Sequence, residues 1–106
     1  MVNTRRRSRT ASFDLGINLA ITSGQQTIGT VRQLVDGISP NPSRLHIHNL
    51  DNTKVLFLGG DSVTISNGLG VQKLESIELV LNAGESVYAI SETGTHLISW
   101  LRQTSY

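Results

Sequence analysis

Phe13-Asp14-Leu15-Gly16-Ile17-Asn18-Leu19-Ala20-Ile21 is the stretch whose reading decides the fold. Every odd residue is apolar and every even one is polar or small. Alternate side chains on a strand point to opposite faces, so this pattern describes a half-buried β-strand. Ser23-Gly24-Gln25-Gln26 then reads as a turn. Thr27 to Val35 is a second strand, with a bulge expected near Gly29. Asp36-Gly37 and Pro40-Asn41-Pro42 mark a loop. Leu45 and Ile47 alternate with His46 and His48 in a third strand. Further short strands follow over Lys54 to Leu58, Val63 to Ile65, Ile77 to Leu81, Ser86 to Ser91 and Thr95 to Gln103. They are divided by Gly59-Gly60, Asn67-Gly68, Asn82-Ala83-Gly84 and Glu92-Thr93-Gly94. Asn67-Gly68 is expected to centre a hairpin turn, because both positions of that turn favour φ > 0. Val71 to Leu74 reads as at most one helical turn.

Many short strands at even spacing imply a sandwich or barrel. The expected fold is all-β: a compact antiparallel β-sandwich or jelly-roll-like barrel of about eight short strands. The chain divides into a basic N-terminal arm, residues 1–12, and a β domain, residues 13–106. At 106 residues a single domain is expected, with oligomerisation a welcome addition to a thin stability margin.

Charge sharpens that division. Arg5, Arg6, Arg7 and Arg9 fall within the first ten residues, while the rest of the chain has five basic and eight acidic residues, a balance of −3. Charged residues make up only 16% of the chain, against about 25% in an average soluble domain. A neutral Ser, Thr, Asn and Gly surface is cheap to desolvate against a neighbour, which points towards an assembled state. The chain has no cysteine, which excludes disulfides, thiol catalysis and cysteine-ligated zinc. No apolar run approaches the roughly 20 residues of a membrane-spanning helix, so no membrane partner is expected.

Several side chains invite a chemical reading. His46 and His48 share one strand face and could grip a metal, with His96 as a conceivable third ligand. No distinctive third-ligand spacing accompanies them, and no cofactor or metal is expected. Asp51, Asp61, Glu75, Glu85 and Glu92 stand at or beside turns, where carboxylates are simply solvated; Glu78 alone is mid-strand. No Gly-x-Ser-x-Gly elbow is present. Gly68-Leu69-Gly70 lacks the Lys-Ser/Thr of a phosphate loop. The chain is therefore expected to be no enzyme. Trp100 should pack in the core, on a last strand that carries apolar groups on both faces.

Four guanidiniums in the arm could neutralise phosphates or make bidentate pairs with carboxylates. No aromatic lies among them to stack on bases, and the remaining chain is acidic. Docking on protein is favoured, and a nucleic-acid partner is not. Arg5, Arg6, Arg7, Arg9 and the terminal Tyr106 are the expected interface residues.

Residues 45 to 103 carry a resemblance. Val55-Leu56-Phe57-Leu58-Gly59-Gly60-Asp61-Ser62-Val63-Thr64, Asn67-Gly68, Leu74, Gly84-Glu85-Ser86-Val87-Tyr88-Ala89-Ile90-Ser91 and Gly94-Thr95 together resemble a small β-sandwich module of tailed-bacteriophage structural proteins. Val87 stands where Leu is common in that module. The resemblance implies a virion protein of capsid decoration or head-fibre type, made in the host cytoplasm and placed on the capsid surface. Its implied partners are the major capsid protein and itself, as a homotrimer. A tail, neck or baseplate component is the nearest alternative, followed by a module that binds carbohydrate or a host surface.

Overall fold

The computed structural model describes residues 19–105. Arg5, Arg6, Arg7, Arg9 and Tyr106, and the boundary placed at residues 12 and 13, lie outside them. Eight strands occur in chain order: β1 Leu19–Ile28, β2 Gln33–Leu34, β3 Ser43–Asn49, β4 Leu56–Gly59, β5 Leu69–Val71, β6 Ser76–Leu81, β7 Tyr88–Ser91 and β8 His96–Ser105. They pair from the outside inwards, β1 with β8, β2 with β7, β3 with β6 and β4 with β5, all antiparallel. β3 also pairs with β8, and β4 with β7. Two four-stranded sheets result, ordered β1-β8-β3-β6 and β2-β7-β4-β5. One long hairpin wrapped into two facing sheets is the jelly roll.

The alternation in β3 shows why these residues make this sandwich. Ser43, Leu45, Ile47 and Asn49 are buried, while Arg44, His46 and His48 face out. Leu45, Ile47, Ile28 and Ile98 of the first sheet meet Leu56, Leu58, Val71 and Ala89 of the second, with Val35 and Val87 closing one margin. Each fully buried Leu or Ile contributes about 1.5–3 kcal/mol, so this cluster dominates the stabilisation. A one-residue slip of β3 would turn its apolar set to solvent, which fixes the register.

Two polar side chains inside the sandwich, Arg102 and Asn49, are tied down. Arg102 is only 4% exposed. Its Nη1 donates to Ser43 Oγ (3.1 Å), its Nη2 donates to the Gly37 carbonyl (2.9 Å), and its Nε sits 2.7 Å from Asp36 Oδ2. The Nε contact is ionic rather than an aligned hydrogen bond. Asn49 Nδ2 donates to the carbonyls of Lys54, Val71 and Gln72, and its Oδ1 accepts from the Asp51 amide. That one side chain joins the end of β3 to the end of β5.

Five local expectations are corrected. Ser23 to Gln26 is no turn: β1 runs straight through it, paired with β8 residue for residue. The glycine that suggested a turn is there for room. A Cβ on Gly24 would lie 2.9 Å from Trp100 Cζ2, because the indole covers this position across the strand pair. The strand expected over Thr27 to Val35 is divided between the two sheets. The chain crosses at Gly29, whose amide donates to Gln33 Oε1 and whose carbonyl accepts from the Ser91 amide. Val63 to Ile65 is no strand either. Val63 is buried and Ile65 is 43% exposed, so the two do not share a face as strand neighbours two apart would. The Thr64 carbonyl accepts from both the Asn67 and Gly68 amides, forming a helical turn. Asn67-Gly68 therefore closes that turn rather than centring a hairpin, and the positive φ values fall at Gly84, Gly94, Asp36 and Leu74. A Gly68 Cβ would meet the Thr64 carbonyl oxygen at 3.0 Å and Phe57 Cβ at 2.9 Å. Finally, Val71 ends β5 and only the turn Gln72 to Leu74 follows it.

Candidate interaction surface

Strand pairing builds the outer face of the first sheet in rows. Ile21, Gln103, Arg44 and Val80 form one row; Ser23, Leu101, His46 and Glu78 the next; Gln25, Ser99, His48 and Ser76 a third. Thr27 and Leu97 begin a fourth. β8 is central in this sheet, yet both its faces are apolar: Ile98 is buried within, while Leu97 and Leu101 are 44% and 46% exposed without. Ile21 and Val80, on the two edge strands β1 and β6, are more exposed still. His46 and His48 stand across a shallow concavity of about 520 Å³ from Ser23 and Gln25, with Ser99 and Leu101 between them.

The charges on this face are few and already paired. Arg44 Nε lies 2.9 Å from Glu78 Oε2, with both side chains well exposed. Such a pair is worth about 0–1 kcal/mol. His48 Nε2 is 3.1 Å from the carbonyl of Leu74, a residue held at φ 61°. The geometry thus offers apolar contact and hydrogen bonding rather than strong charge.

The other candidates are dispersed. His46 and His48 do share a face, as their spacing requires, but His96 is on the inner face of β8, buried and unable to join them. Among the described residues no group of three or more His, Cys, Asp or Glu side chains gathers as a metal site. Asp51 Oδ1 accepts from the Thr53 hydroxyl and from the amides of Thr53 and Lys54. The Thr53 hydroxyl, foremost, holds this carboxyl below its ordinary range. Glu85 accepts from the Asn82 amide in a turn. These carboxylates stand as turn supports, and Trp100 packs against the core as expected.

Sequence reading noticed the two-faced apolarity of the last strand but did not find the surface it forms. Ile21 and Val80 join Leu97 and Leu101 only through the pairing of β1, β8, β3 and β6, which no local pattern displays.

The architecture defines an all-β jelly-roll domain of two four-stranded sheets. In fold, the chain is similar to a solved structure described with the words "Bacillus endospore appendages form a novel family of disulfide-linked pili". The two superpose with a TM-score of 0.55 at 14% identity, over 92% of this chain and 96% of the other. No protein-family model matches the sequence, and no curated protein matches it.

Proposed function

We propose that this chain is a non-enzymatic structural protein that works as a closed oligomer, and specifically that it decorates the outer surface of a phage-type capsid. The observation that carries the reading is the outer face of the first sheet, where central β8 leaves Leu97 and Leu101 in solvent. An apolar face on a buried-type strand gains by meeting a second surface. On this reading the resemblance of residues 45 to 103 to tailed-phage structural modules would give the location, and the arm with Arg5, Arg6, Arg7 and Arg9 would reach across subunit seams. Repetition on a symmetric shell would turn modest contacts into high avidity. The expected oligomer is a trimer, with the major capsid protein as its partner.

The fold similarity to an appendage structure favours a second reading, a subunit of a fibre. Disulfide linkage does not transfer, because this chain has no cysteine.

Light scattering and negative-stain microscopy of the purified full chain separate the readings. A discrete trimer supports decoration, and open filaments support the fibre. A chain that stays monomeric at every concentration up to its solubility limit overturns both. Leu97→Asp with Leu101→Asp is expected to dissociate either assembly while leaving the strand circular-dichroism signal intact. On empty heads, deletion of residues 2–10 is expected to reduce occupancy; unchanged occupancy would remove the arm from the mechanism.

A further inference from the structure

A second apolar feature lies away from the outer face, on the open side of the sandwich between edge strands β5 and β6. It is a cleft of about 460 Å³. Leu58, Leu81 and Val87, all members of the core, form its floor, and Leu79 and the half-exposed Leu69 form its walls. Among the described residues Glu85 is the one charged residue that lines it. These core side chains, among the described residues, remain reachable from outside and form a seat for apolar groups.

We propose that this cleft receives residues Phe13 to Ile17 of a second copy of this chain. Four observations support the choice of occupant. The chain outside the structure on this side is 18 residues long and enters at Leu19, a length of about 59 Å when extended. It carries Phe13, Leu15 and Ile17 at alternate positions, so on a strand all three would point to one side. Leu19 pairs with Ser105, Thr104 with Ser43 and Ser43 with Leu81, which puts the entry of the arm and the cleft at the same end of the first sheet, on opposite edges. The arginines lie four to eight residues before Phe13, within reach of the Glu85 carboxylate at the cleft once Phe13 is seated.

A second copy is favoured over the chain's own cleft by the sequence that leads into β1. Phe13 to Leu19 has no proline and no Asn-Gly, Asp-Gly or Gly-Gly pair to bend the chain, whereas reaching its own cleft requires a turn across the end of the first sheet, from the β1 edge to the β6 edge. The inference rests on the self-assembly proposed above, but uses a surface distinct from Leu97 and Leu101.

Absence of native cysteine makes the test clean. Full-length chain bearing Leu15→Cys is mixed with differently tagged full-length chain bearing Ser86→Cys, Ser86 being at the cleft, under mild oxidation. The mixed disulfide is expected to form at least tenfold faster than with a control partner bearing Ser23→Cys, on the outer face. Adding Leu69→Glu to the Ser86→Cys chain is expected to abolish that advantage. Leu69 is exposed, so this change should leave the fold intact, which circular dichroism checks. Rates equal to the control overturn the proposal. So does a chain carrying both Leu15→Cys and Ser86→Cys that closes only on itself. If oligomers persist while the cross-link fails, the seat is wrong and the assembly stands; if no oligomer forms at any concentration, the assembly itself fails.

Discussion

His96 sits at the start of β8 with 1% of its surface exposed and with neither ring nitrogen hydrogen-bonded. Burial, above all, lowers its pKa from 6.5; nearby Lys54 pushes the same way and Asp51 opposes them. Lys54 is held beside it, its Nζ donating to the Thr95 carbonyl. The folded protein therefore keeps this imidazole neutral at pH values where the unfolded chain has taken up a proton. The unfolded state binds more protons in that window, so stability rises with pH there. Full stability is present above 6.5 and is lost as pH falls below it. His96→Leu removes two unsatisfied polar atoms and the titration together. It is expected to gain about 1 kcal/mol at pH 7.5 and to flatten the difference between pH 7.5 and 5.5. Urea unfolding at the two pH values measures both. A wild-type protein equally stable at both, or a Leu variant with the wild-type slope, would refute this account. Sequence had offered His96 as a third metal ligand; its strand position was legible, but its face depended on the register of β8.

At the scale of elements, the pair of β1 and β8 depends on Gly24 and Trp100. An alanine methyl at 24 would stand 2.9 Å from Cζ2 and 3.2 Å from Cε2 of the indole, so the ring must shift from its place against the core. Overpacking of this kind costs about 1–3 kcal/mol. Trp100 is the sole tryptophan, so its fluorescence reports the shift directly. Gly24→Ala is expected to lower the Tm and move the emission maximum to longer wavelength. A variant with native Tm and native emission would show that the indole does not need this position. The same pair explains the largest misreading of the sequence. Gly24 flanked by Ser23 and Gln25 has turn composition, and the apolar alternation stops at Ile21. Ten consecutive ladder partners on β8 override that local preference. Conversely, β3 was legible because its alternation and its burial coincide. Val63 and Ile65 were misread because period-2 spacing over three residues occurs equally well in a turn that buries one and exposes the other.

For the whole molecule, sequence indicated a two-layer β fold, but the wrapping order was not legible. β1 and β8 lie at opposite ends of the chain, and nothing local announces that they pair. The uneven charge was legible, and it makes the assembly proposed above testable in solution. The arm carries four arginines and the rest of the chain is acidic overall, so contacts between copies gain from attraction that salt weakens. Screening shortens from about 10 Å at 0.1 M to about 3 Å at 1 M salt. Apolar contacts at Leu97, Leu101 and the cleft do not weaken under the same change. Raising NaCl from 0.1 to 1 M (the two limits for which those lengths hold) is therefore expected to increase the oligomer's dissociation constant by roughly tenfold, the equivalent of about 1.4 kcal/mol, without dispersing it completely. Replacing Arg5, Arg6, Arg7 and Arg9 by Gln should weaken the oligomer at low salt and remove the salt dependence. Reductant should have no effect, since the chain has no cysteine. Sedimentation equilibrium across the salt series measures all three. A salt response that survives the four substitutions would assign the attraction to the charges of the β body, with Glu78, Arg44 and Glu85 the first to be replaced.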